Sequence, residues 1–446
     1  MNWNFEPEMK RLASAVRDRS ARDHAKDLLA TYILHEESGQ HSAVFREGSA
    51  VALSFLSRAQ AKRLAAVDPA RDIWPLVLAD ETPSAVAAAT SLPRWLVEKW
   101  TRQLCDPARS HGGLPFSEVH KLAESCNTRA PVTLRVNRLK LGGQQALVEV
   151  LAAEGLQADL ARLCPWAVHL RDGRPPGGIW SLAAWRAGLF EVQDEGSQLI
   201  ALSTEAAPGE TVLDYCAGNG GKTLALAAMI SNNGTVLAYD INAARLRQLE
   251  GSVGRAGATC VRTVTREQLE EVSALHFDAA GGGRSSNQSN GGGGVVGGKG
   301  GVDVVLVDAP CSSTGVLRRH PSLRWTLAKD DVAEFPALQL AILRNASSHV
   351  RAGGRLVYAT CAINREENEE VADAFEAEVL RSGPQGGGFE RWPFEARGSN
   401  RRALLPHVHG TDGFFIARWR RAPSAAATAN AQGEGRAPLE EPLPET

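Results

Sequence analysis

Several absences bound what this chain can be. It has only seven cysteines in 446 residues, at irregular spacing and with no C-x-x-C pair, so neither a disulfide framework nor a zinc site is expected. Free thiols in a reducing, intracellular compartment, the cytoplasm first, follow from that reading. No run approaches the roughly 18 apolar residues of a membrane span, which excludes a membrane partner from the expectations. The opening "MNWNFEPEMKRL" lacks the basic-then-apolar order of a secretory signal and is too acidic for a transit peptide. Charge of one sign is also missing. The formal net charge is −2, so nucleic-acid binding would have to come from a local patch rather than from the whole surface. No sustained heptad or spare apolar face is visible, so a monomer is expected.

What is present is an ordinary globular mixture, 43% hydrophobic and 22% charged, long enough for two or three domains. Residues 1–125 read as helical, with proline-punctuated segments such as "HAKDLLATYIL" and "SRAQAKRLAAV". Residues 126–205, with the strand "PVTLRVN" and the helical "GGQQALVEVLAAEG", read as a small α/β unit. Residues 206–421 alternate regularly. "TVLDYCA", "TVLAYD", "TCVRTV", "VDVVLVDA" and "RLVYATC" are apolar strands, separated by helical stretches that include Asp331 to Val350 and Arg365 to Glu378. That order predicts an α/β fold, a doubly wound and largely parallel sheet with ligands outside the carboxyl ends of its strands. Ala279 to Gly301 is a glycine-rich insertion expected to be a flexible loop, and 422–446 an alanine-, proline- and glutamate-rich tail expected to be disordered.

Two strands end on a cysteine. "LVDAPCSSTG" carries Asp308 and then Cys311, and "LVYATCAIN" ends on Thr360-Cys361. Both cysteines therefore belong at one end of the sheet. Cys105, Cys126, Cys164 and Cys260 are assigned to packing, as is Cys216, which also adjoins a glycine-rich turn.

That turn is "LDYCAGNGGKT". A P-loop requires a glycine where Cys216 stands, and a dinucleotide fingerprint requires one at Thr223, so both fail. An acid at the strand end (Asp214) followed by Gly218-Asn219-Gly220 instead suits S-adenosylmethionine, which brings a sulfonium and an ammonium rather than a pyrophosphate. Asp240 ends the next strand about twenty residues on, where an acid accepts hydrogen bonds from ribose hydroxyls.

Paired thiols beside such a cofactor fit one chemical problem. Carbon 5 of a pyrimidine is a poor nucleophile until a thiolate adds to carbon 6, and a second thiol can assist the later elimination. An ordinary cysteine, with a pKa of about 8.5, is only slightly ionised at neutral pH, so the site should lower it. The two sulfurs are expected within a base's width, about 5 to 8 Å. After Cys311 comes the basic run "LRRHPSLRW", whose Arg318, Arg319, His320 and Arg324 are candidate RNA contacts.

"LDYCAGNGGKT", "DAPCSSTGVLRRHPSLRW" and "GGRLVYATCAINREENEEV" resemble three signature motifs of the RsmB/Nop2/Sun family of RNA (cytosine-5) methyltransferases. "PVTLRVN", "FEVQDEGSQL" and "GTDGFFIARW" are similar to others. The resemblance covers roughly residues 90–420. It implies a class I methyltransferase-like (Rossmann-like) sheet and S-adenosylmethionine as cofactor. It makes Cys361 the nucleophile, Cys311 the residue that helps release product, Asp308 a contact to the cytosine and Lys222 its support. Asp240, Asp308 and the turn from Cys216 through Ala217, Gly218, Asn219, Gly220 and Gly221 to Lys222 would hold the cofactor. The small α/β unit would help grip RNA, ribosomal before transfer RNA. Two departures are Ser313, where the family usually has glycine, and Thr265, where an acid commonly holds the adenine amino group. The rival readings are a DNA or small-molecule methyltransferase using Cys311 as nucleophile, and a non-catalytic RNA-binding assembly factor.

Overall fold

The computed structural model describes residues 82–107, 113–274, 301–379, 388–395 and 398–423. The helices expected before residue 82, the glycine-rich insertion apart from Gly301, and the tail beyond residue 423 lie outside the described residues. The chain divides into two compact units, Met1–Arg129 with Val316–Val332, and Ala130–Gly315 with Ala333–Thr446.

In the first unit the described helices are Pro83–Thr90, Arg94–Leu104 and Phe116–Ser125. Pro93 and Pro115 immediately precede the second and third, where a missing N–H costs no helical bond. Their apolar stripes, Leu96, Val97, Trp100 and Leu104 in one and Val119, Leu122 and Ala123 in the other, are buried. Arg324 also belongs to this unit. Its guanidinium donates to Asn127 Oδ1 and the Cys126 carbonyl, each at 2.5 Å, and to the Thr90 carbonyl at 3.3 Å. It thereby satisfies carbonyls at two helix C-termini.

The second unit opens with an antiparallel sheet of β1 (Val132–Val136), β2 (Ala158–Leu160), β3 (Ala167–Leu170) and β4 (Phe190–Val192), in the order β2-β3-β1-β4. The second sheet has β5 (Thr211–Asp214), β6 (Thr235–Ala238), β7 (Val261–Thr263), β8 (Val302–Asp308), β9 (Val350–Thr360), β10 (Phe389–Arg391), β11 (Arg401–Leu404) and β12 (Phe414–Arg421). Its order is β10-β12-β9-β8-β5-β6-β7, with β11 paired to β12. β5 to β9 run parallel to one another, while β12 pairs antiparallel with β9, β10 and β11.

Alternate residues of the central strands enter different cores, as the two-residue period of a strand requires. Val304 and Leu306 join Val212, Val357 and Ala359 under Ile200, Leu226 and Leu249. Val305 and Val307 join Leu213, Leu356 and Tyr358 under Leu343, Val371 and Phe375. Those residues come from the helices Glu195–Leu202, Gly221–Met229 and Ala243–Ala256 on one face, and Lys329–Ser347 and Glu369–Val379 on the other. Both faces are covered, so β8 reads as an unbroken apolar run. β9 begins five residues before its expected start at Arg355, because Val350 pairs with Val302 across a bulge and Gly353 bends the strand at φ +73°.

Candidate active site

Strand order places β5 beside β8, with β6 and β7 to one side and β9 to the other. Successive connections diverge here, opening a crevice at the carboxyl ends of β5 and β8. The glycine turn follows β5, and the two cysteine segments follow β8 and β9.

The turn is held by its backbone. Gly220 has φ +85°, and a Cβ there would stand 2.1 Å from Leu249 Cδ1, so glycine is required on both counts. Ala217 N donates to the Tyr239 carbonyl (2.9 Å) and Gly218 N to Asp240 Oδ2 (2.8 Å), while Asn242 N donates to Asp240 Oδ1 (2.7 Å). Asp240 thus ties the turn to the end of β6, with acceptor capacity left over. Asn219 and Gly221 are exposed, Ala217 and Gly220 buried. Cys216 packs against the second core, and burial pushes its thiol far up.

Asp214, at the end of β5, is 1% exposed. Thr223 donates to its Oδ2 at 2.7 Å, but Oδ1 has no partner among the described residues. Burial pushes this carboxyl up to about 7, against the hydrogen bond from Thr223 and the charge of Lys222. Asp214, Asp240 and Asp308 give the crevice three carboxylates. Its nearby cation, Lys222, lies 2.5 Å from Asp308 Oδ2. A pyrophosphate would be repelled there, whereas a ligand with a sulfonium and an ammonium fits both the charge and the unpartnered buried acceptor. Burial works against the Lys222 charge, but Asp308 with Asp214 behind it outweighs burial and holds the ammonium above its ordinary range.

The Cys311 and Cys361 sulfurs are 3.3 Å apart. This is closer than the expected base's width, because the two thiols hydrogen-bond to each other directly. That bond from Cys311 holds the Cys361 thiol below its ordinary range against burial and Asp308, helped by Ser313 and Lys222. The same bond, burial and the Glu367 carboxylate push Cys311 well above its ordinary range.

The sequence motifs contained Glu367 without marking a role for it. This carboxylate is fully buried and accepts from Ser312 N (2.8 Å), Ser312 Oγ (2.5 Å), Asn364 Nδ2 (3.0 Å) and Gln339 Nε2 (3.1 Å). Ser312 follows Cys311 and Asn364 follows Cys361, so one buried charge joins both cysteine segments. Gly315 N donates to the Cys361 carbonyl (2.9 Å), and a Cβ on Gly315 would stand 2.2 Å from the Gly413 carbonyl oxygen. A second unmarked residue is Arg135 of β1, 2% exposed, which donates to Gln193 Oε1 and the Gly221 carbonyl and so buttresses the glycine turn. Burial lowers its guanidinium to about 10. In an alternating strand such as "VTLRV", arginine ordinarily reads as the solvent-facing residue.

The remaining candidates belong to the first unit, apart from Thr265. Arg318 and Arg319 are half-buried and His320 exposed in the first unit, and Arg324 is engaged with helix ends there. Thr265 caps the helix Arg266–Ala274. Its N–H donates to Gln268 Oε1 (2.8 Å) and its hydroxyl accepts from Gln268 N (3.4 Å), the reciprocal pattern of a capping box.

Residues 201–420 match the model of the 16S rRNA methyltransferase RsmB/F family, and residues 92–175 match the RsmF/B-like ferredoxin-like domain. The chain is 33% identical over 339 residues to a probable ribosomal RNA small subunit methyltransferase B of Bacillus subtilis, covering 75% of this chain and 68% of that one. It is 32% identical over 321 residues to the human 28S rRNA (cytosine(4447)-C(5))-methyltransferase, covering 69% of this chain but only 36% of the human protein. Among solved structures, a methyltransferase homolog protein from Pyrococcus horikoshii superposes with a TM-score of 0.57 at 25% identity, over 76% of this chain and 99% of that one.

Proposed function

The chain belongs to the RsmB/Nop2/Sun family of RNA methyltransferases, and from that premise we propose that it forms 5-methylcytosine in ribosomal RNA, with Cys361 as nucleophile and Cys311 assisting release. The observation that carries this reading is the pair of sulfurs at the ends of β8 and β9, 3.3 Å apart, with Ser313 Oγ 3.6 Å from Cys361 Sγ and the Lys222–Asp308 pair in the same crevice.

S-adenosylmethionine, when bound, supplies a methyl group activated by a positive sulfonium. The residues that fit it are Asp214, Asp240 and the turn Ala217 to Gly221, by the charge and unpartnered acceptor already described. The base would be extruded or single-stranded so that carbon 6 reaches the thiolate. Cys361 adds to carbon 6, and the ring electrons move toward the edge held by Asp308 and Lys222. Asp308 accepts from the exocyclic amine and Lys222 donates to the ring, so the developing negative charge meets a fixed ammonium. Carbon 5, made nucleophilic by that addition, would be the atom methylated when the cofactor is bound. The carbon 5 proton then passes to water, its bonding pair re-forms the ring double bond, and the carbon–sulfur pair leaves with Cys361 as its thiolate. Cys311 stands beside the leaving sulfur and assists that step.

The test is incorporation of labelled methyl groups. The protein is incubated with unmodified ribosomal RNA, transfer RNA or single-stranded DNA and labelled cofactor, and the products are digested to nucleosides. Label in 5-methylcytidine from ribosomal RNA is expected. Label confined to DNA or to transfer RNA would contradict the substrate assignment, and no label in any arm would favour a binding role.

A further inference from the structure

Ser313 lies in the left-handed region, at φ +59°. Four other non-glycine residues among those described share positive φ: Ser91, Glu205, Ser231 and Asn232. Each follows within three residues of a helix end, at Thr90, Leu202 or Met229, where left-handed residues commonly terminate helices. Ser313 ends no helix. It sits between the end of β8 and a short 3-10 turn at Thr314–Val316. An L-residue with a Cβ adopts this conformation only at a cost in free energy, and such cost is found where function holds it in place.

What the conformation delivers is contact with both sulfurs. The Ser313 backbone N–H faces Cys311, and its Oγ lies 3.6 Å from Cys361 Sγ. A hydroxyl both donates and accepts. While Cys361 is a thiol, its S–H donates to Oγ. Once the sulfur is ionised, the hydroxyl turns and donates to it. Glycine would meet the backbone requirement without strain but would bring no hydroxyl.

We propose that Ser313 is a catalytic residue, its hydroxyl donating to the Cys361 thiolate. The proposal rests on the reading of Cys361 as nucleophile. The other groups acting on that sulfur are Cys311, Asp308 and Lys222, and all three stay in place in the variants below.

The variants are Ser313→Gly, which relieves the backbone, and Ser313→Ala, which retains a Cβ. Alkylation of the Cys361-containing peptide by iodoacetamide is followed against pH by mass spectrometry, in full-length protein without RNA. In both variants the alkylation midpoint should rise by about one pH unit, equivalent to a tenfold change in ionisation equilibrium. Adduct formation on ribosomal RNA near neutral pH should slow by about tenfold. Ser313→Gly should melt at or above the wild-type temperature, which separates loss of the hydroxyl from loss of the fold. An unchanged Cys361 midpoint in both variants would overturn the proposal, and a purely structural role would give that result. Adduct formation that survives Cys361→Ala would instead remove the nucleophile reading, a failure the RNA-free titration distinguishes.

Discussion

The ammonium of Lys222 lies 2.5 Å from Asp308 Oδ2, across 86 residues of sequence. The pair spans the crevice between β5 and β8, joining the start of one helix to the end of the neighbouring strand. Breaking a buried pair leaves the surviving charge without compensation. Asp308 keeps 29% side-chain exposure, so the loss is below that of a fully enclosed pair. Lys222→Met should cost about 2 kcal/mol of stability. The double variant Lys222→Met/Asp308→Leu should recover most of that stability by denaturant melting while remaining inactive. Recovery of activity in the double variant would remove both residues from the chemistry.

Glu367→Gln tests the join between the cysteine segments. Its carboxylate meets four N–H or O–H donors, and the amide must turn a donor of its own toward some of them. A loss of about 2–3 kcal/mol is expected from the unsatisfied groups. Cys311 alkylation should become easier because the nearby carboxylate charge is gone. Ser312→Ala, which removes one hydroxyl and leaves the backbone bond, should cost about 1 kcal/mol. Peptide-resolved alkylation and urea melting check both.

Asp214 carries a pH dependence. Its folded-state value is raised to about 7 from 3.8, so the native state binds the proton more tightly than the unfolded chain. The associated stability is fully present below the unfolded value and is lost as pH rises through the folded one. The melting temperature of wild type relative to Asp214→Asn should therefore fall between pH 5 and pH 8. Cofactor affinity should rise over the same window, because the cationic ligand favours the ionised carboxylate. A flat difference curve would contradict this account of Asp214.

The parts of this architecture that show in the sequence are those fixed by local rules. Val304 to Val307 form an apolar run because β8 is covered on both faces. "NAARLRQLEGSVGRAG" shows its helix at both ends: Asn242 accepts from Ala244 N at the start, and Gly257 adopts φ +72° past the end. The pattern says less where long-range pairing decides. β12 contains arginine and tryptophan among its apolar residues and reads only as a motif, yet Trp419 is buried, with Nε1 donating to Glu376. Glu367 stands in an acidic stretch that reads as a solvated helix face, and only the folded chain shows its four donors. The contact between the sulfurs depends on the separation of two strand ends and their loops, which no spacing along the chain encodes. Arg324 reads equally as a phosphate contact or a structural tie until its bonds to helix carbonyls are seen.

The central claim is that Cys361 attacks and Cys311 releases. The most direct test mixes wild type, Cys311→Ala and Cys361→Ala with ribosomal RNA and cofactor, then resolves them on a denaturing gel. Cys311→Ala should accumulate a covalent protein–RNA adduct, and Cys361→Ala should form none. An adduct that forms without Cys361 and disappears without Cys311 would contradict the account and assign the attack to the other sulfur.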